Sequence, residues 1–211
     1  MNALTKARTA LLALVAAGTV GAGFDAFAAS ADPHLHHRMM AQGEKAAKGP
    51  IRSVAAYALP PVQLLRADGK AVALPAELDD GRPIILNFIF TTCTAICPIS
   101  SQVFSEVQAK LGKAPKVHLV SISTDPEQDT PAVLRRYAER FGAGAAWDFY
   151  TGTVDASVAA QKAFGVYRGD KMNHTQVTLV RPSMNRPWIR LDGFASADDL
   201  VLALQPETAR Q

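Results

Sequence analysis

The chain has 211 residues, 48% hydrophobic and 19% charged, with a formal net charge of +3. This is ordinary composition for a soluble globular protein, and the absence of a basic stripe or interleaved aromatics argues against nucleic acid as a partner. Once the ends are set aside, the length suffices for one well-buried domain.

The first residues read as an export signal. Lys6 and Arg8 form a positive region, residues 10–20 are mostly apolar, and Ala26-Phe27-Ala28 is a small-x-small cleavage pattern. Glycines and Asp25 interrupt the run, which falls short of the ~20 apolar residues a membrane span needs. The expectation is a signal peptide over residues 1–28 and a monomer in a bacterial periplasm, where paired thiols can be oxidised. The alternative is an inner-membrane anchor formed by the uncleaved signal. Residues 29–54 read as a flexible tether carrying His34, His36, His37, Met39 and Met40. Imidazole and thioether both bind copper, although a short tract of this kind is also the composition of a solvated tail. Residues 55–205 form the expected domain, followed by a tail over residues 206–211.

Residues 62–74 hold two short apolar pieces around Asp68-Gly69, a turn dipeptide, and predict a β-hairpin. Residues 84–90 are nearly continuous apolar, as in a strand buried on both faces. Val103, Phe104, Val107 and Leu111 then repeat at helical spacing, with Gly112 at the capping position. Residues 117–122 read as a second buried strand. A carboxylate-rich loop follows, and Thr130-Pro131 marks a capped helix start. Residues 155–164 predict a further helix, residues 176–181 and 188–191 two strands with a short connection, and Ser196 with Asp199 opens a last helix. Strands alternating with helices imply a parallel core, and the closing pair an antiparallel end. The plan is that of a thioredoxin-like α/β sandwich with an N-terminal β-hairpin extension.

The chain's two cysteines, Cys93 and Cys97, follow the first core strand, with Pro98 directly after. Ligands in open α/β sheets collect at the carboxyl ends of the parallel strands. Asp125 follows the second core strand, and the strand from residue 176 should run the other way, which brings His174 to the same rim. Two thiolates and an imidazole make a soft set suited to copper, or to zinc with an open fourth position. Cys97 falls in the first helical turn, where the helix dipole favours a thiolate. The offset also permits a disulfide if Cys93 is still in the loop. A structural staple is the plain alternative, but so short a loop constrains the unfolded chain by only about 2 kcal/mol. Asp125 either supports the site or caps a turn, and His118, inside a strand, is left out as structural. Three residues separate the cysteines and no Trp precedes them, unlike thioredoxin-type reductases; no Pro stands between Ile84 and Cys93, unlike peroxiredoxins.

The stretch Phe88-Ile89-Phe90-Thr91-Thr92-Cys93 to Cys97-Pro98 resembles the Sco/SenC family of copper metallochaperones. So do Val120-Ser121-Ile122-Ser123-Thr124-Asp125-Pro126 with Asp129-Thr130-Pro131, and residues 147–152. Over residues 55–205 the resemblance implies a thioredoxin-like fold holding one copper ion per monomer through Cys93, Cys97 and His174, with Asp125 supporting transfer. It implies as partner the copper-bearing subunit of cytochrome c oxidase, or another copper or thiol protein. The role would be delivery of copper to the copper A site or maintenance of its thiols. The other class is a thiol-disulfide oxidoreductase using Cys93 and Cys97 as a redox-active pair. Two features depart from the family: Asn173 stands where an Asp usually precedes the histidine, and a cleavable signal replaces the usual anchor, so no membrane attachment is expected after cleavage.

Overall fold

The computed structural model describes residues 49–112 and 116–205. The expected signal over residues 1–28, the cluster of His34, His36, His37, Met39 and Met40, and the tail from residue 206 lie outside the described residues. The elements are β1 (Ile51–Ala55), β2 (Gln63–Arg66), β3 (Ala71–Ala73), α1 (Leu74–Leu78), β4 (Ile84–Ile89), α2 (Ile96–Leu111) and β5 (His118–Ser123). There follow α3 (Pro131–Arg140), β6 (Trp147–Gly152), α4 (Val154–Ala163), a 3-10 turn (Lys171–Asn173), β7 (Val177–Arg181), β8 (Trp188–Asp192) and α5 (Ala197–Leu204). Among the described residues no helix is long and apolar enough to cross a membrane.

The strands form one sheet in the order β1-β8-β7-β4-β5-β6-β2-β3. β4, β5 and β6 run parallel, while β7 lies antiparallel to β4, and β8 to β7. The expected architecture is therefore present, with three differences. The expected order lacks β6, which stands between two helices as a third parallel strand. It sends Trp147 and Phe149 to one face of the sheet and Tyr150 to the other. Secondly, β2 pairs with β6 as well as with β3, so the hairpin is the far margin of the sheet rather than an appendage. Finally, residues 51–54 are not tether. They pair with β8 as an edge strand whose side chains are largely exposed, and so carry no burial pattern.

Two apolar layers enclose the sheet. Ile85 and Ile89 face Phe104 and Val107 of α2, Leu134 and Tyr137 of α3, and Leu200 of α5. Ile84, Leu86 and Phe88 face Ala156 and Ala160 of α4, with Leu74 and Leu78 of α1. This alternation of β4 between two cores accounts for its unbroken apolar run. The capping signals act as expected: Thr130 accepts the Val133 N–H at 3.4 Å, and Ser196 and Asp199 form a reciprocal capping box. Gly142, just past α3, holds φ +64°, where a side chain would be strained.

The one amide within β4 is tied into a buried polar ladder. Trp147 Nε1 donates to Ser121 Oγ (3.0 Å), which donates to Asn87 Oδ1 (2.7 Å). Asn87 Nδ2 in turn donates to Ser100 Oγ (3.3 Å), and that hydroxyl donates to the Cys97 carbonyl (3.1 Å). Because buried amides and hydroxyls are costly when unpaired, the ladder fixes the register of β4, β5 and β6 and the seat of α2 above them.

Candidate metal centre

The sequence places Cys93 at the end of β4, and its neighbours hold it in a tight approach to α2. Cys93 N–H donates to the Phe90 carbonyl at 3.1 Å, and Cys97 N–H donates to Cys93 Sγ at 3.4 Å. The Ala95 and Ile96 N–H groups and the Cys97 thiol also donate to that sulfur. Both cysteines are free thiols. Burial pushes the Cys93 thiol up, but these donors outweigh it, and its pKa lies below the ordinary thiol value. Free N–H groups at a helix start stabilise an anion in just this way.

Cys97 behaves in the opposite sense, which corrects the expectation from its helical position. Its side chain is 1% exposed and packs into the core beneath α2. Burial, first of all, raises its thiol well above the ordinary range, a bond from the Phe90 amide works against this, and Cys93 and Asp129 add to the rise. The N–H groups of the helix start serve Cys93 instead, because the first turn wraps around that sulfur while Cys97 turns inward.

The three segments expected at one rim meet there. The His174 Nε2–H donates to the carbonyl of Phe88, next to last in β4, at 3.0 Å. Thr124 N–H donates to the Ile89 carbonyl at 2.8 Å, which brings the start of the Asp125 loop to the end of the same strand. Because a carbonyl only accepts, the bond from His174 fixes the Nε2–H tautomer and leaves the Nδ1 lone pair for a ligand. Burial lowers the His174 pKa, the Phe88 bond opposes this, and Arg168 lowers it further; the ring is neutral at neutral pH. Metal-binding histidines characteristically donate their other N–H to a carbonyl or carboxylate in this manner.

Asp125 is 5% exposed and receives Lys171 Nζ at 2.5 Å. Sequence reasoning missed two residues here. Lys171 belongs to the 3-10 turn that leads into His174, whose N–H donates to the Lys171 carbonyl at 3.1 Å. Asp129, fully buried, accepts from Thr91 N–H (3.2 Å), Thr91 Oγ (2.5 Å) and Ser123 Oγ (2.6 Å). In the sequence it stands directly before the N-cap Thr130, within a stretch that carries the resemblance but with no role of its own legible there. Met172 is largely exposed.

His118 lies at the opposite end of the strands. Its Nε2 sits 3.1 Å from Asp148 Oδ2 and its Nδ1 3.2 Å from Asp80 Oδ2. Glu77 joins this group, but Arg66 and the Tyr150 hydroxyl already donate to it at 3.3 and 3.0 Å. Ligand atoms of Glu77, His118 and Asp148 lie within 4.8 Å of one another, and His118 Nδ1, although close to Asp80, is buried without a hydrogen-bond partner.

A parallel-stranded α/β layer with two free thiols at a helix start, and an imidazole pinned to the strand before them, is a thioredoxin-like arrangement. The SCO1/SenC family model matches residues 55–199. The chain belongs to that family. It is 35% identical over 105 residues to the SCO1 protein homolog of Bacillus subtilis, covering 48% of this chain and 53% of that one; the chain spans about half the length of the curated relatives it matches. Among solved structures, copper-bound ScoI of Bradyrhizobium japonicum superposes with a TM-score of 0.58 at 27% identity, over 70% of this chain and 98% of that one. BsSco, described as a member of the Sco family of cytochrome c oxidase assembly proteins, gives 0.58 at 27% identity over 73% of this chain and 97% of that one.

Proposed function

We propose that the chain is an exported copper-binding protein that holds one copper ion through Cys93, Cys97 and His174 and serves assembly of the copper A site of cytochrome c oxidase. The observation that carries this reading is the His174 bond to the Phe88 carbonyl, which holds a neutral imidazole with a defined free nitrogen on the strand that leads into the two free thiols. The copper-bound relative and the oxidase-assembly family description support the ligand and the process. In the proposed transfer, Cys93 binds first as the more acidic thiol, Cys97 gives up its proton on ligation, and thiolates of the receiving protein displace the three donors in turn.

Copper stoichiometry of the reduced full chain, beside Cys93→Ser and His174→Ala, tests the reading. The tether cluster contributes equally to all three proteins, so the expected result is one tightly held copper fewer in each variant. Equal copper content in parent and variants refutes the ligand assignment.

The contrast between an accessible acidic Cys93 and a buried Cys97 favours a second reading, a thiol-disulfide oxidoreductase that keeps the receiving thiols reduced. In that case His174→Ala leaves the exchange rate with a small dithiol unchanged, whereas Cys93→Ser abolishes it.

A further inference from the structure

The two arms of the centre, the Cys93 loop and the His174 loop, lie far apart in sequence, yet an unbroken polar chain joins them beneath the rim. It starts at Thr91, two residues before Cys93, whose N–H and hydroxyl both donate to the Asp129 carboxylate. Ser123 Oγ donates to the other side of that carboxylate at 2.6 Å and accepts the Asp125 N–H at 3.0 Å. The Asp125 carboxylate takes Lys171 Nζ at 2.5 Å. Lys171 opens the 3-10 turn in which Asp170 caps the Met172 N–H at 2.8 Å, and the turn ends on His174.

Asp129 and Ser123 are fully buried. The hydrogen bonds to the Asp129 carboxylate come from donors on both of its oxygens, so the position favours acceptors on both; an amide would offer one acceptor and turn its NH2 toward donors.

We propose that Asp129 and Lys171 are positioning residues that hold the Cys93 arm and the His174 arm at the same rim, so that both can reach one metal ion, Asp129 through Thr91 and Ser123, Lys171 through Asp125. The proposal rests on the ligand assignment above. Outer partners of this kind characteristically change metal affinity by about 10–100-fold when removed. Lys171 acts only through the histidine arm, whereas Asp129 acts on both.

The test measures the rate at which Cu(I) passes from the loaded full chain to a chromophoric chelator, with urea midpoints recorded on the same proteins. Lys171→Met is expected to speed release by about tenfold, Lys171→Arg to restore most of it, and Lys171→Met to add nothing in a His174→Ala background. Asp129→Asn is expected to speed release in both backgrounds; should that variant not fold, Ser123→Ala breaks the same chain with a smaller loss. Equal acceleration by Lys171→Met with and without His174, or none at all, overturns the positioning role. A parent chain that holds no Cu(I) overturns the ligand assignment itself, and this inference with it.

Discussion

Alkylation with iodoacetamide across the thiol range, from about pH 5 to about pH 10, separates the two cysteines. An ordinary thiol with a pKa near 8.5 is roughly 3% thiolate at pH 7, and each unit by which one thiol lies below another multiplies the ratio of thiolate fractions by about ten. Nucleophilicity falls along with the pKa, so the rate advantage is roughly threefold per unit. Cys93 lies below the ordinary value because three backbone N–H groups and a thiol donate to it, and Cys97 lies above it because it is 1% exposed. Restricted access then multiplies the difference, because the reagent reaches Cys97 only when α2 opens. In the reduced chain, Cys93 should be modified at least about tenfold faster than Cys97, with a midpoint below that of a free cysteine, as read by peptide mapping. In Cys93→Ser the remaining thiol should stay nearly inert until denaturant is added. Equal labelling of both residues in the folded chain, or a Cys93 midpoint above that of a model thiol, refutes the assignment of the helix-start donors to Cys93.

Two further outcomes follow from packing and burial. Phe104 is fully buried, with its ring 5.5 Å from that of Trp147. Phe104→Ala should cost about 3–5 kcal/mol in urea unfolding, and a loss below about 1 kcal/mol would mean that α2 repacks freely. Because the His174 pKa lies below that of the unfolded chain, first through burial, unfolding takes up a proton below about pH 6.5. Stability is then full above that value and is lost as the pH falls through it toward the lower folded value. Measured without metal, the parent should lose stability relative to His174→Ala over that window, and a constant difference would mean that the ring is not buried as a neutral base.

The parts of this fold legible in the sequence are those whose cause is local. β4 and β5 announce themselves because strands buried on both faces have no polar period. The start of α3 is written in Thr130-Pro131, and that of α5 in Ser196 and Asp199, because a cap is satisfied within one turn. β6 escapes such a reading. Asp148 and Thr151 interrupt its aromatics, and its pairing partners lie in β5 and in β2, the latter more than 80 residues away by number. The site divides in the same way. Cys93, Cys97 and His174 are visible as residue types at strand ends. The direction in which Cys97 turns depends on the core under α2, and the roles of Asp129 and Lys171 depend on contacts spanning 38 and 46 positions.

The buried ladder from Trp147 to the Cys97 carbonyl also gives the protein an optical reporter. Trp147 and Trp188 are its two tryptophans, and they lie in opposite cores of the sheet. The Trp147 indole N–H is the first member of a chain that ends on the backbone of Cys97. Any movement of the first turn of α2, whether from oxidation or from loading, therefore passes to the hydrogen bond that helps to set the indole's emission energy. With Trp188→Phe as background, the state of the thiol pair becomes readable by fluorescence without an added label.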